Sequence, residues 1–300
     1  VWDQQEKGVT AWPFIQGREF DRTILFDTLI VMSLDFSDPL PLIAEKWEIS
    51  SDEKTYTFHL RKDVIFHDGT PLKAIDVKSS FIAQIGCTKS DKKKIAPVLP
   101  IIGAQEVRAG NSKELEGIKV VDDYTIQFTL TNKSSNFLFG IAGIQILPDS
   151  LILKDTDPAT FHMSSFWQNP IGSGPFKISE RVPGDYDELV AFSDYFNGKP
   201  LIEKIIIRHR DPILAAEAGI LDRYLAKHTA QVSPLMSIDG LRGYKVDGLY
   251  KREIWTNLYK PYLQDVRVRK AIAFAIDRET ICDELLEGLA SPWNSVMTPT

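Results

Sequence analysis

Thr55-Tyr56-Thr57-Phe58-His59-Leu60, then Val64-Ile65-Phe66, then His67-Asp68-Gly69-Thr70-Pro71-Leu72 is the stretch that decides the fold. Its first six residues alternate and are rich in β-branched and aromatic types, which predicts a half-buried strand. Upstream, Trp47-Glu48-Ile49 reads as its partner across a Ser50–Lys54 turn. Val64–Phe66 reads as a short strand that stops at the Asp68-Gly69 turn signal. Thr70-Pro71 is placed to open a helix running to about Ile85.

Working outward, Lys119–Val121 and Tyr124–Leu130 predict a second hairpin about Asp122-Asp123. Ile202–Ile207 reads as a strand and Ala215–Leu221 as a helix. Asp265 is placed to cap a helix over Val266–Ala275, and Asp277 a second over Arg278–Leu286 that Gly288 stops. Gly86–Lys94 and Pro183–Glu188 read as surface loops. The chain is therefore mixed α/β, with no internal repeat.

At 300 residues, 43% hydrophobic and 25% charged, the composition is that of a globular protein too long for one simple core. A net charge of −6 lacks the electrostatic footprint of a nucleic-acid binder. The basic runs, Lys92–Lys94 and Arg267, Arg269 and Lys270, read as solvated faces. Cys87 and Cys282 are far apart, outside any C-x-x-C spacing, and are expected as unpaired thiols in different lobes. No apolar run reaches the length of a membrane helix. No secretory signal opens the chain, which is expected to be mature or trimmed.

Motifs for catalysis are missing: no H-E-x-x-H, no phosphate-binding G-x-x-x-x-G-K-[ST], no G-x-S-x-G and no G-x-G-x-x-G. The five histidines are scattered, with no metal-ligand spacing. His67-Asp68 is the most suggestive pair, a base beside an orienting carboxylate, but adjacent turn residues rarely address one target. Ile171-Gly172-Ser173-Gly174-Pro175-Phe176 runs into a strand at Phe176-Lys177-Ile178, not a helix. Its glycines are expected to serve a tight passage at positive φ, and Ser173 has no identifiable base. Asp185, Asp187 and Glu188 share a segment without a full cation-ligand set. Trp12, Phe14, Trp167, Trp255 and Tyr259 lie near segment junctions, where solute clefts recruit aromatic walls.

Five stretches, in order, resemble the family 5 bacterial extracellular solute-binding proteins, the dipeptide, oligopeptide and nickel binders of ABC import. They are Phe26–Ile30 with Pro41–Ser50; Asp52–Asp76; Asn169–Phe176; Tyr195-Phe196-Asn197-Gly198-Lys199-Pro200; and Asp265–Ile272 through Ala275–Glu279. The sequence departs from the family at Lys73 and Ile75, where the family's Thr and Glu would form a capping box before Asp76; a weaker helix start is expected. The family's first strand and "L-D-P" segment are also missing, and the chain is short for the family, most of whose second lobe would follow.

The resemblance implies a two-lobe periplasmic-binding-protein-like fold of type II, cluster C. Residues 1–42 and 171–255 would form the first lobe's core, 43–170 its inserted subdomain, and 256–300 the start of the second lobe. It implies a receptor in the periplasm or on the outer face of the cell membrane, soluble or lipid-anchored. That receptor would capture peptides or similar small solutes and deliver them to an ABC transporter permease. A nickel or metal-chelate receptor and an oligosaccharide receptor are alternatives within the family; a hydrolase and a ligand sensor that has lost transport are the rivals from other classes. A monomer is expected, with no cofactor, no resident metal and no nucleic acid. The ligand-facing residues are expected to be Trp12, Phe14, Arg18, Trp255 and Asn257, the first three from the N-terminal loop and the last two at the crossing into the second lobe.

Overall fold

The structure, a computed structural model, describes residues 24–33, 37–153, 156–208, 212–224, 232–244 and 254–292. The chain divides into two compact units, Val1–Arg208 and His209–Thr300.

In the first unit, β1 (Ile30–Met32) pairs antiparallel with β2 (Pro39–Pro41). A four-stranded antiparallel sheet follows, from β3 (Ala44–Ile49), β4 (Thr55–Leu60), β5 (Ile118–Asp122) and β6 (Thr125–Thr129), in the order β3-β4-β6-β5. Alternation sets its faces: Tyr56, Phe58 and Leu60 of β4 are buried, as are Ile126 and Phe128 of β6. Tyr56 stands opposite Phe128 and Phe58 opposite Ile126, so the two hairpins share one apolar face. Helix α1 (Ala74–Gly86) covers it, with the Phe81 ring 5.0 Å from Phe128. The Phe137 ring closes the layer 4.6 Å from Tyr56. Each fully buried Phe here contributes about 1.5–3 kcal/mol by leaving water.

Turn chemistry joins the strands as the sequence predicts. Asp52 Oδ1 accepts from Ser50 Oγ at 2.5 Å and Lys54 N at 3.2 Å, which holds its carboxyl below the usual range. Asp122 Oδ1 accepts the Tyr124 N–H at 2.8 Å at the second turn.

A second core gathers Leu25, Phe26, Phe161, Phe166, Trp167, Phe176 and Leu189. It lies under the antiparallel sheet of β7 (Phe176–Val182), β8 (Tyr186–Ala191) and β9 (Lys204–Arg208). Trp167 is fully buried and donates its Nε1–H to Phe161 O at 2.9 Å.

In the second unit, Asp265 caps α2 (Val266–Ala275) by accepting the Arg267 N–H at 2.8 Å. Asp277 accepts the Thr280 N–H at 3.0 Å and caps the next turn. Cys87 and Cys282 are both buried free thiols, one in each unit.

Several expectations are corrected. Val64–Phe66 is not a strand: Ile65 makes only an isolated bridge with Pro71, which has no N–H to extend a ladder. Helix α1 starts at Ala74 rather than Thr70, because residues 70–72 fold back on 64–66. Phe66 N–H bonds Thr70 O at 2.8 Å and Leu72 N–H bonds Val64 O at 3.0 Å. The helix start keeps half a capping box, since Asp76 Oδ2 accepts the Lys73 N–H at 2.7 Å. The predicted helix at Ala215–Leu221 is observed at Pro212–Glu217; Gly219, at φ 67°, ends it by accepting a left-handed conformation. The second capped helix is α-helical only over Arg278–Thr280 and widens to a π-turn over Ile281–Leu285. Tyr186–Glu188 belong to β8 instead of a loop.

Candidate functional site

Trp12, Phe14 and Arg18 lie outside the described residues. Trp255 and Asn257 lie in the second unit, both exposed, with Trp255 at 86%. The Asn257 side chain is partly engaged, since its Oδ1 accepts the Tyr259 N–H at 3.0 Å. Of the other aromatic leads, Trp167 is core and Tyr259 is exposed.

The polar residues that do converge surround Gly172-Ser173-Gly174. This segment passes so close to residues 24–26 that only glycine fits. A Cβ on Gly172 would stand 1.8 Å from Leu25 O, and one on Gly174 2.6 Å from Ile24 O. Neither glycine is among the positive-φ residues, so close approach, not a left-handed backbone, is the reason for both. Gly174 N–H bonds Leu25 O at 3.0 Å, and Asp27 O accepts the Ile146 N–H at 2.9 Å.

His67 grips the segment from one side. Its backbone N–H bonds Gly172 O at 2.8 Å. Its Nδ1 lies 3.2 Å from the Gly172 N–H, which it accepts, and its Nε2 lies 3.0 Å from Gly174 O. That pairing fixes the neutral tautomer with the proton on Nε2. Burial drives the pKa down to about 4; the Gly174 hydrogen bond opposes this, Lys177 adds to it and Asp68 opposes it. Both ring nitrogens are spent on main chain, so His67 has no free lone pair for general-base work. Asp68 faces the other way, its Oδ1 accepting from Thr70 N at 2.9 Å and Thr70 Oγ1 at 2.6 Å. The His67-Asp68 pair is therefore a turn and a clamp.

Asp27 grips the same segment from the other side. It is 4% exposed. Tyr195 Oη donates to its Oδ1 at 3.2 Å, and Ser173 Oγ to its Oδ2 at 3.4 Å. Burial pushes the carboxyl up to about 7, and those two hydrogen bonds pull it partly back. Burial, then the facing Asp27, push the Tyr195 phenol well above its usual range. Ser173 is wholly buried, so it is no nucleophile for a solute. Asp27 and Tyr195 carry no catalytic signature in the sequence; the one signal is that each sits in a stretch that resembles the family's motifs.

The remaining candidates are structural. Asp187 pairs with Arg181 at 2.8 Å and Glu188 with Lys204 at 2.8 Å. Among the described residues, no group of three or more His, Cys, Asp or Glu is set to hold a metal ion. An open depression of about 720 Å³ lies by Leu99, Ile101, Glu106 and Glu116. Two further lining side chains are tied elsewhere, Glu114 to Lys78 at 3.2 Å and Lys133 to Glu53 at 2.7 Å. No described helix is long and apolar enough to cross a membrane.

Comparison with known proteins agrees with this architecture. Residues 38–300 match the profile of "Bacterial extracellular solute-binding proteins, family 5 Middle". The dipeptide-binding protein of Escherichia coli is 28% identical over 323 residues, covering 98% of this chain and 56% of that protein. The periplasmic binding protein DppA of Helicobacter pylori, solved with the peptide STSA, superposes with a TM-score of 0.69 at 26% identity, over 89% of this chain and 53% of that one. NikZ of Campylobacter jejuni, solved with Ni(L-His), gives a TM-score of 0.63 at 26% identity, over 89% and 50%. The chain spans about half the length of the curated relatives it matches.

Proposed function

The chain belongs to the family 5 bacterial extracellular solute-binding proteins, and from that premise we propose that it is part of a receptor for an ABC importer. The receptor captures peptides or similar small solutes between two lobes and hands them to a membrane permease. It works in the periplasm or at the outer face of the cell membrane. No bond is made or broken. Ligand stabilises a closed arrangement because it contacts both lobes there and only one in the open form.

The observation that carries this reading is the family match over residues 38–300, in a chain whose most suggestive catalytic side chain, His67, is committed to main-chain anchoring. His67 and Ser173, the side chains a hydrolase reading would need, are a clamp and a buried donor. Peptide is the leading ligand class because the dipeptide-binding relative aligns along 98% of the chain. A metal chelate is the second reading, supported by the likeness to NikZ.

In the proposed layout, residues 1–42 and 171–255 form the first lobe's core, 43–170 an insertion, and 256–300 the start of the second lobe. The core shared by Leu25, Phe26, Phe176 and Leu189 supports joining the first two segments. Trp12, Phe14, Arg18, Trp255 and Asn257 are the proposed ligand-facing residues; the exposure of Trp255 supports its availability.

Equilibrium dialysis of the native protein against labelled di- and tripeptides, with nickel–histidine in parallel, tests the reading. Saturable retention of intact peptide supports the peptide receptor. Retention of nickel–histidine alone supports the chelate reading. Appearance of free amino acids contradicts both.

A further inference from the structure

Buried Asp27 and partly buried His67 are two ionisable groups that hold one three-residue segment, Gly172-Ser173-Gly174. Among the described residues, neither has a countercharge in hydrogen-bond contact. Among the described residues, the groups facing Asp27 are the Tyr195 and Ser173 hydroxyls, which donate to its carboxylate and one of which turns to accept its proton when it is neutral. Those facing His67 are the main chain of Gly172 and Gly174, the edge-on Phe192 ring at 5.2 Å, and the more distant charges of Lys177 and Asp68. A carboxyl buried without a cation favours its protonated form. An imidazole whose Nδ1 must accept a main-chain N–H favours its neutral form.

We propose that Asp27 and His67 form a proton-compensated clasp. When Gly172–Gly174 docks in mildly acidic solution, Asp27 takes up one proton and His67 releases one, so the docking equilibrium is insensitive to pH there.

The linkage signs make the two effects opposite. The carboxyl of Asp27 is raised from 3.8 to about 7. Its contribution to docking is fully present below 3.8 and is lost as pH rises through 7. The imidazole of His67 is lowered from 6.5 to about 4. Its contribution is fully present above 6.5 and is lost as pH falls through 4. Between about 4 and 6.5 the undocked state carries ionised Asp27 and protonated His67, while the docked state carries both neutral. The net proton count is then the same on both sides, and the two slopes cancel. Either residue alone would impose a dependence of up to about tenfold per pH unit.

Amide hydrogen exchange of the peptide spanning residues 169–176, read by mass spectrometry and corrected for the intrinsic pH dependence of exchange, measures the opening. The 300-residue chain should show an opening constant flat to within about threefold from pH 4.5 to 6.5, well inside the single-residue slope. Asp27→Asn should open the segment progressively as pH falls. His67→Gln should open it progressively as pH rises. Equal slopes in both variants, flat profiles in both, or a steep profile in the unsubstituted chain would overturn the proposal. If either variant does not fold, carbon-13 NMR of the unsubstituted chain decides. The proposal requires Asp27 still protonated and His67 still neutral at pH 5.5; an ionised Asp27 or a protonated His67 at that pH contradicts it.

Discussion

Gly172 lies against Leu25 so closely that any side chain there would collide with a carbonyl oxygen, 1.8 Å from a built Cβ. The contact is with backbone, which cannot swing aside. Gly172→Ala must push residues 24–26 away from the segment and strain the His67 clamp with it. The expected cost is about 3 kcal/mol, the upper part of the overpacking range. Gly184, at φ 79° with open space around it, supplies the comparison. Gly184→Ala should cost only about 1 kcal/mol, from backbone strain alone. Urea denaturation midpoints of the two variants check the difference.

The Arg181–Asp187 pair is the best-enclosed ion pair of the sheet, with the Asp187 side chain 4% exposed. Arg181 also donates to the carbonyls of Trp167 and Gln168, at 3.1 and 3.2 Å. Arg181→Met therefore removes a charged donor shared by a buried carboxylate and two carbonyls. A loss of about 3–5 kcal/mol is expected. Adding Asp187→Leu to the same chain should recover part of it, because the buried charge that Arg181 offset is gone. A double-mutant cycle in urea measures the recovery.

Asp76 holds two segments at once, accepting from Lys73 N at 2.7 Å and from Asp149 N at 2.8 Å. Asp76→Ala should cost about 2 kcal/mol, the sum of a lost cap and an orphaned N–H. Lys73→Ala should cost under about 1 kcal/mol, since its ammonium makes only an exposed pair with Asp123. Thermal melts of the two variants would separate the contributions.

Trp255 is exposed, so its loss should leave the melting temperature unchanged. If it walls the solute site as proposed, Trp255→Ala weakens peptide binding by about tenfold or more, the behaviour of an aromatic anchor. Phe58→Ala is the converse case: a core truncation costing about 3–5 kcal/mol. Titration calorimetry beside a melt distinguishes the two.

The two central hairpins and the Asp caps were legible in the sequence because local chemistry decides them. Alternation in Thr55–Leu60 fixes which face is buried, and Asp122 and Asp265 bond N–H groups two residues on. What was not legible depends on pairings, near or far along the chain, that residue type alone does not mark. The late start of α1 follows from residues 70–72 pairing back on 64–66. The strand character of Tyr186–Glu188 follows from pairing on both sides, with β7 and β9. The clasp escaped because Asp27 meets Ser173 and Tyr195, and His67 meets Gly172 and Gly174, more than a hundred residues away in each case. His67-Asp68 was legible as a turn, and its two side chains do serve different segments.

The central claim, capture of a small solute without turnover, is tested most directly by native mass spectrometry of the protein isolated from its own cells. Denaturation and identification of whatever is released would follow. The receptor account predicts one equivalent of intact short peptides or a similar small solute, released unchanged. Isolation free of any such ligand, together with hydrolysis of added peptides, would contradict it.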